Sequence, residues 1–587
     1  MDNIEFPKLL FIKLFKYLQY NYESREINEF KIYKLIRVLN RDYRDNIAPK
    51  FKYERDVNSI SQLQYLTCLG DTDREMLNIS MHVYGITIED WLELLAQNSN
   101  LVPKINSFYF GIHKFPIECF SDHSSDKLPL FLQCRDSLES IETSIQDIHD
   151  ISMITEIFKD FKRLKYITFN DKKDPNTLSN LQSILILNTL TNFTIQSVKV
   201  TEMELKFIIE KTQHITTMVI DKCNILNDQS YLCTSLDLVM DSLSMSKVIT
   251  NFKFNSVYTY KNYISLKCLV FMLNTNTILK HLFLEGMLFT RPVEDSEDFH
   301  IYNNTLHTLD TLNSYLKIDN INSHMGGLEF YWNTKSNLKT LNLTIQFTNP
   351  FVKNIRSNFK HFKIQSLVYN NRELNRKMSE WEHLVPILRV NIPTLTHLEI
   401  ISSNRSLKDD SLSVLFKAIS KCKSLTSLDI KPLIHADSVF KLTKLNLTKL
   451  NLNVSSQLSF YQKLALVIRE NVSIKEISIK DTTSRRPIFE FIQSILSLIS
   501  HAPLTSISFS LSCNLSNHTD EEIDHLYSQF ESTLRGNLYH LTNLNISGLY
   551  SYIQFSFKYK IDIESQKYLK FINLLHQLFL IQNTNKL

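Results

Sequence analysis

A short pattern of apolar and polar positions recurs along most of the chain. Apolar residues occupy its first, fourth and sixth positions, as in residues 338–343, 395–400 and 425–430, and mostly polar residues fill the other three. Because side chains two residues apart in a strand point the same way, the fourth and sixth positions predict a short strand with one buried face. We call this pattern the repeat phrase. It begins at Met76, Ile105, Leu164, Leu190, Ile215, Ile249, Leu279, Leu338, Ile364, Leu395, Leu425, Leu447, Ile474, Leu504 and Leu541.

Two degraded copies fill the double-length gaps between these phrases, at residues 138–143 and 306–311, each with Thr at the sixth position. With both included, the repeat averages about 29 residues. Between phrases the apolar spacing changes to that of helices. The helical stripes are Leu412, Leu415, Ile419 and Cys422; Leu464, Val467 and Ile468; and Ile488 to Ile499. Alternating strands and helices predict an α/β solenoid with parallel strands inside and helices outside, over residues 76–565.

This periodicity resembles the leucine-rich repeat family. Members of that family usually carry Asn or Cys three positions after the third apolar residue, and here only Cys223 stands there. With only eight glycines in the chain, we expect other Asn, Ser and Asp side chains to satisfy the turns. The repeats should therefore be irregular, and an apolar segment at residues 566–587 should form a closing helix.

The first 55 residues differ from the repeats. Leu10, Leu14 and Leu18 predict one amphipathic helix, and a stripe from Ile32 to Leu39 predicts a second. The segment has 12 basic and 8 acidic residues, so it alone accounts for a charge of +4. We expect a small all-α module at residues 1–55, followed by a connecting segment at 56–75.

Residues 6–18, Phe-Pro-Lys-Leu-Leu-Phe-Ile-Lys-Leu-Phe-Lys-Tyr-Leu, resemble the opening of an F-box, and residues 38–44 resemble its later part. Phe6 stands where the motif has Leu, and Tyr43 where it has Trp. The resemblance implies that a Skp1-type adaptor binds this module. The residues that it implicates are Pro7, Leu10, Leu14, Leu18 and Tyr43. The alternative is that the two helices only cap the repeat array.

Composition excludes several classes of partner. The 65 basic and 61 acidic residues leave a net charge of +4. This charge is too small to produce the electrostatic field that attracts nucleic acid or an anionic membrane. No run approaches the roughly 20 apolar residues of a membrane span, and lysines interrupt the N-terminal apolar stretch where a signal peptide has none. The eight cysteines lack the spacing of zinc or thiol motifs and should be reduced and buried. We expect a cytoplasmic protein that could also reach the nucleus.

Motifs of catalysis and cofactor binding are missing from the sequence. The eight glycines form neither a dinucleotide-binding motif nor a P-loop. Residues 122–126, Asp-His-Ser-Ser-Asp, hold the residue types of a hydrolytic triad, but neighbours in sequence rarely converge on one reacting atom. His281 and His397 share the third phrase position but lie four strands apart in the predicted stack, which makes a bridging metal improbable. We therefore expect no catalytic, metal or cofactor site and no small-molecule substrate.

The free phrase positions should form the concave face of the solenoid, where a target protein would bind. One predicted cluster there contains Lys253, His281, Phe283 and Glu285, and a second contains Glu399 and Asp429. Exposed aromatic and charged residues on such a face are common anchors of protein recognition. The alternative for Phe283 is that it packs against the degraded neighbouring repeat.

Three functional hypotheses follow. The F-box resemblance implies the substrate-recognition subunit of a Skp1–cullin–F-box ubiquitin ligase. The second hypothesis is a non-enzymatic scaffold for protein interactions. The third, a solenoid that activates GTPases, has no positive support in the sequence.

Overall fold

The computed structural model divides the chain into two compact units, Met1–Tyr258 and Thr259–Leu587. The residues that it describes are 53–57, 77–82, 101, 105–114, 134–145, 150–171, 177–227, 232, 235–256, 262–291, 299–311, 315–318, 330–332, 337–344, 364–371, 384–389, 393–402, 409–434, 437–454, 458–481, 504–511, 543–550 and 553–559.

The first unit is built on a parallel sheet in which each strand pairs with the strand of the following repeat, in the order β1-β2-β3-β4-β5-β6-β8-β9. Its described strands are β1 (Tyr53–Val57), β2 (Leu77–His82), β3 (Ile105–Lys114), β4 (Ser140–Ser144), β5 (Tyr166–Asn170), β6 (Asn192–Gln196), β7 (Lys199–Thr201), β8 (Thr217–Leu226) and β9 (Asn251–Ser256). Its helices are α1 (Ser152–Phe158), a 3₁₀ helix (Leu181–Ile186), α2 (Glu202–Lys211) and α3 (Asp237–Met245).

The second unit repeats this plan, with parallel pairing in the order β11-β14-β17-β18-β19-β20-β21-β22-β23-β24. Its first described strands are β10 (Tyr263–Ser265), β11 (His281–Glu285), β12 (Leu288–Arg291), β13 (Phe299–Ile301), β14 (Thr308–Asp310), β15 (Tyr315–Ile318), β16 (Phe330–Trp332) and β17 (Thr340–Thr344). They are followed by β18 (Ser366–Asn371), β19 (His397–Ser402), β20 (Ser427–Ile434), β21 (Lys449–Val454), β22 (Glu476–Asp481), β23 (Ser506–Leu511), β24 (Asn543–Tyr550) and β25 (Ile553–Tyr559). Its helices are α4 (Leu266–Thr275), α5 (Leu384–Arg389), α6 (Asp409–Ile419), a 3₁₀ helix (Asp437–Lys444) and α7 (Leu458–Glu470).

The predicted repeat is confirmed. Every repeat phrase, including the two degraded copies, coincides with a strand that pairs in parallel with a strand of an adjacent repeat, and the last of them, β24, also pairs in antiparallel with β25. The apolar positions form the core: Leu279, Leu282 and Leu284 of one phrase are buried. Parallel strands that alternate with helices in several described repeats form the α/β leucine-rich repeat architecture that the sequence predicts.

The first predicted phrase and the predicted boundary at residue 55 fall on strands β2 and β1. Met81, at the sixth position of the phrase that begins at Met76, pairs with Phe108, at the fourth position of the next phrase. This offset coincides with a register irregularity between Ile79 and Ser80, and Ile79 and Met81, the fourth and sixth positions of the predicted phrase, are both buried. Strand β1 crosses the predicted boundary at residue 55 and pairs with β2, so residues Tyr53–Val57 belong to the sheet. The predicted N-terminal helices, the helix around residues 488–499 and the closing helix at 566–587 lie outside the described residues.

Helices follow the predicted stripes, but not every repeat has one. Leu412, Leu415 and Ile419 are buried on α6, and Leu464, Val467 and Ile468 on α7, as expected. A 3₁₀ helix replaces the α-helix between β5 and β6 and between β20 and β21, because its 2.0 Å rise per residue covers the same path with fewer residues. None of the described helices has the length and apolar character needed to cross a bilayer.

The turn after the strand explains why the family's Asn or Cys is mostly missing. The eighth position of three repeats has positive φ, at Ser197 (56°), Lys222 (54°) and Gly286 (71°). The ninth position, where the family has Asn or Cys, is buried and holds Val198, Cys223 and Met287. The Cys223 thiol donates to the Ile195 carbonyl of the preceding repeat over 3.4 Å. At the other two positions an apolar side chain fills the slot.

In four repeats a polar side chain instead stabilises the loop that enters the strand, three residues before the first apolar position. Each accepts the backbone N–H of that apolar residue, and the acceptors are Thr212 Oγ1 (3.0 Å), Ser246 Oγ (3.3 Å), Asn276 Oδ1 (2.7 Å) and Asn303 Oδ1 (2.7 Å). All four residues are buried. The expectation that other Asn and Ser side chains satisfy the turns is thus confirmed, on the side before the strand.

One backbone carbonyl ties each strand to the next. The Thr396 carbonyl, at the second phrase position, accepts the N–H groups of Thr426 and Ser427 at 2.9 Å each and the Thr426 hydroxyl at 3.1 Å. The same three-donor arrangement recurs at the carbonyls of Lys165, Thr191, Thr216, Gln365, Thr426 and Lys475. We call this series the strand-entry row.

Replacement of the buried Asn303 amide should destabilise the repeat that enters β14. Its Nδ2 donates to the carbonyls of Leu273 (2.6 Å) and Asn276 (3.0 Å), while its Oδ1 accepts from Thr305 and Leu306. Asn303→Ala leaves these buried groups unpaired and should lower the unfolding free energy by about 1–3 kcal/mol. Urea unfolding and amide exchange of β14 would measure this effect. Asn304→Ala, at the exposed neighbouring position, is the control, and an equal loss there would contradict the assignment.

Candidate partner-binding face of the strands

The third and fifth phrase positions form one continuous face on the sheet of each unit, which we call the strand face. In the second unit the register aligns Val368, Glu399, Asp429 and Asn451 as a row of fifth positions. His281 and Phe283 on β11 are half-buried, and they alternate with the fully buried Leu282 and Leu284. The predicted division between core and free positions is therefore present in the structure.

The residues of the first predicted cluster lie on two strands. His281, Phe283 and Glu285 follow one another along the free side of β11, while Lys253 lies on β9 in the other unit, beside Val219. Asp310 stands opposite Phe283 in register. The degraded copy therefore offers a carboxylate at the neighbouring fifth position, where the packing alternative for Phe283 would favour an apolar residue.

His281 is held by two contacts at the strand entry. Its Nδ1 lies 3.0 Å from the Thr308 hydroxyl, and its ring meets the His307 ring edge to face with centroids 6.0 Å apart. Burial, and then the nearby His307 and Lys280, lower the pKa of His281 below its usual value. Both effects disfavour the charged imidazolium form of His281.

The second predicted cluster is assembled as expected. Glu399 and Asp429 are register partners on β19 and β20, and Lys431 forms an ion pair with Glu399. Asn451 Nδ2 donates to Asp429 Oδ2 over 3.3 Å. Burial raises the pKa of Asp429, and the neighbouring Glu399 adds to the rise, while Asn451, Lys431 and His397 oppose it.

Sequence reasoning missed two members of this cluster. Asn451 occupies the fifth position of the phrase that begins at Leu447, so the same count along the chain would have found it. Lys431 lies where the register between β20 and β21 shifts, between Ile430 and Leu433. Pro432 signals such an irregularity, because proline has no N–H to donate to the ladder.

Features that could suggest catalysis have structural explanations. His397 Nδ1 lies 2.9 Å from Ser427 Oγ, as in a base–nucleophile pair, but His281 pairs with Thr308 in the same way at the same phrase positions. The contact is therefore a property of the third position. In the part of the chain described here, no group of His, Cys, Asp or Glu side chains is arranged to hold a metal ion.

The described cysteines are poor nucleophiles. Cys134, Cys223, Cys268 and Cys422 are buried and unoxidised, as the sequence predicted for them. Burial raises the pKa of Cys134, Cys223 and Cys422 to about 12, so these thiols stay protonated. The adaptor residues Pro7, Leu10, Leu14, Leu18 and Tyr43, and the polar segment 122–126, lie outside the described residues.

Two of the solved structures that match the chain do so at low sequence identity and low structural similarity. An internalin from Listeria monocytogenes is 16% identical with a TM-score of 0.29, and the match covers 60% of this chain and 76% of the internalin. TLR13, solved in complex with ssRNA13, is 15% identical with a TM-score of 0.32, and the match covers 75% of this chain and 62% of TLR13. No protein-family model and no curated protein sequence matches the chain.

Proposed function

We propose that the chain is a non-enzymatic protein-interaction subunit that binds a partner protein on the strand face. The observation that carries the proposal is the half-buried acidic pair of Glu399 and Asp429, aligned on adjacent strands. Burial of like charges side by side costs stability, and a basic side chain of a partner would offset that cost. The partner surface that fits this site therefore carries Lys or Arg.

The composition of the face supports the same proposal. Parallel sheets in α/β proteins are normally covered on both sides and read as continuous apolar runs. In this chain the third and fifth positions are polar in most repeats, for example Asn192, Thr194, Thr217 and Asn251. Such a face suits solvent or a protein partner better than a second layer of the same chain.

We further propose that the partner is a substrate delivered to a Skp1–cullin–F-box ubiquitin ligase. The support is the sequence resemblance at residues 6–18 and 38–44, which assigns adaptor binding to Pro7, Leu10, Leu14, Leu18 and Tyr43. In this role the chain needs no cofactor and recruits its target while other subunits perform the chemistry. The helical module would end before β1, and residues 566–587 would close the last repeat. No observation favours the GTPase-activating alternative.

The adaptor proposal is tested by co-purification with Skp1. The full chain should retain Skp1, and removal of residues 1–52 should abolish retention while leaving β1 intact. Leu14→Asp should also abolish it, because the change puts a charge into an apolar interface. Lys16→Glu, two residues away and off the apolar stripe, should retain Skp1. Absence of any association with the full chain would end the ligase proposal and leave the interaction proposal standing.

Asp429→Asn should stabilise the protein at neutral pH. A carboxyl whose pKa is raised by folding favours the folded state below its unfolded pKa and loses that contribution as the pH rises through the folded value. Asn cannot ionise, so the melting temperature of Asp429→Asn should exceed that of the parent at pH 7, and the difference should shrink towards pH 4.

Glu476→Gln is the control for this measurement, since Glu476 is exposed and pairs with Lys449 at 3.1 Å. It should show no gain at pH 7. A lower melting temperature for Asp429→Asn at pH 7, or a gain that persists at low pH, would contradict the proposed cost of the acidic pair.

Phe283→Ala should weaken target capture by roughly tenfold, or about 1.4 kcal/mol, if the aromatic ring anchors the partner. Quantitative mass spectrometry of proteins captured by the parent and the variant would measure this, with Skp1 retention as an internal reference. Phe271→Ala is the matched control, because Phe271 is 54% exposed on α4 rather than on the strand face. Equal capture by Phe283→Ala and the parent would remove Phe283 from the site.

A further inference from the structure

Threonine is the commonest residue at the second phrase position, whose carbonyls form the strand-entry row, and three consecutive strands of the second unit carry a basic residue there instead. Threonine occupies the second phrase position at Thr191, Thr216, Thr250, Thr396, Thr426, Thr448 and Thr505. In each of these the hydroxyl donates to the second-position carbonyl of the preceding repeat, at 3.0–3.4 Å. Ahead of β11, β14 and β17, however, the residues are Lys280, His307 and Lys339. The carbonyls of Lys280, His307 and Lys339 each still accept two backbone N–H groups from the next strand, without a threonine hydroxyl.

The register stacks the three basic residues directly beside one another. The His307 N–H donates to the Lys280 carbonyl at 2.7 Å, and the Lys339 N–H donates to the His307 carbonyl at 2.8 Å. Since neighbouring strands lie about 4.8 Å apart, the row spans roughly 10 Å from the first Lys to the second. His281 adds a second imidazole 6.0 Å from that of His307.

The charged side chains of Lys280 and Lys339 are available to a ligand. Lys280 and Lys339 are exposed, and neither forms an ion pair with any described residue, unlike Lys162, Lys165 and Lys449. Burial, and then Lys339 and Lys280, lower the pKa of His307, so the two lysines act on the imidazole between them. The carboxylates on these strands, Asp310 and Glu285, lie further along at the fifth and seventh positions and have contacts of their own.

We propose that Lys280, His307 and Lys339, with His281, form a binding site for one phosphate monoester on a phosphorylated serine or threonine of a partner protein. A phosphate offers three strong acceptor oxygens and nearly two negative charges, which matches three donors in a row better than a carboxylate does. The row ends at Gln365 and Thr396, so it is too short to follow a nucleic-acid backbone. The site does not depend on Skp1 binding or on the acidic pair of the strand face.

Replacement of the three basic residues by threonine tests the proposal, because it should remove the phosphate site and preserve the fold. The variant Lys280→Thr/His307→Thr/Lys339→Thr regains the hydroxyl of the strand-entry row and should melt at or above the parent temperature. A fluorescein-labelled phosphoserine heptapeptide of Gly and Ser should bind the parent at least tenfold more tightly than its unphosphorylated form, and added salt or inorganic phosphate should weaken binding. The triple variant should bind both peptides equally weakly.

Lys475→Thr is the matched control, since Lys475 occupies the same phrase position between Thr448 and Thr505. It should bind the phosphopeptide like the parent. If the triple variant unfolds, Lys280→Gln/Lys339→Gln replaces it in the same titration. The proposal is overturned if the parent does not distinguish the two peptides, if Lys475→Thr loses as much affinity as the triple variant, or if a single-stranded RNA decamer binds the parent more tightly than the phosphopeptide. None of these results bears on Skp1 retention, so this site and the ligase proposal fail separately.

Discussion

The stacking of this protein depends on the second-position carbonyl of each repeat. That carbonyl accepts the N–H groups of the second and third positions of the next repeat, for example Thr448 (2.7 Å) and Lys449 (3.0 Å) on the Thr426 carbonyl. The contact fixes where each strand begins, and a slip by one residue would turn every core side chain to the other face. It leaves the chain between strands free to vary. The linked threonines are 22 residues apart at Thr426 and Thr448 but 34 apart at Thr216 and Thr250.

This arrangement separates the residues that hold the fold from those that face a partner. The first, fourth and sixth positions and the loop residues such as Asn303 are buried, and a change there disturbs the stack. The second, third and fifth positions contribute their backbone to the register whatever side chain they carry. Lys280 and His307 show this, because their carbonyls still accept two N–H donors without a threonine hydroxyl. Specificity can therefore vary along these rows at modest cost to stability.

The strands were predictable from the sequence because their signal is local, with apolar residues two apart inside each phrase. Their alignment was less predictable, since it depends on the partner strand. Ile79 and Met81 are buried as the phrase predicts, yet a register irregularity between Ile79 and Ser80 offsets the pairing of this strand with the next. The positive φ at Ser197 and Lys222 could not be predicted either, because no glycine marks those turns.

In the candidate site, too, some features were predictable from the local sequence and others depended on contacts between strands. The alignment of Glu399 with Asp429 follows from counting phrase positions, so the sequence was sufficient for that pair. The contact of His281 with Thr308 and His307 needs side-chain positions that no spacing rule supplies. The burial of Asn276 and Asn303 could not be predicted for a different reason. Polar residues are expected at the surface unless their hydrogen bonds to the loop are known.

The ion pair between Lys431 and Glu399 indicates how the acidic pair is kept before a partner arrives. Adjacent parallel strands hold Glu399 and Asp429 side by side, and the fixed register prevents them from separating. Lys431 partly compensates this repulsion, but its side chain is 50% exposed, and ion pairs of that exposure contribute little to stability. A partner's Lys or Arg can therefore displace Lys431 from Glu399 at small cost. Asp429 is held by Asn451 and does not need to move. In the proposed binding mode, Lys431 would hold in the free protein the position that the partner's cation takes on binding.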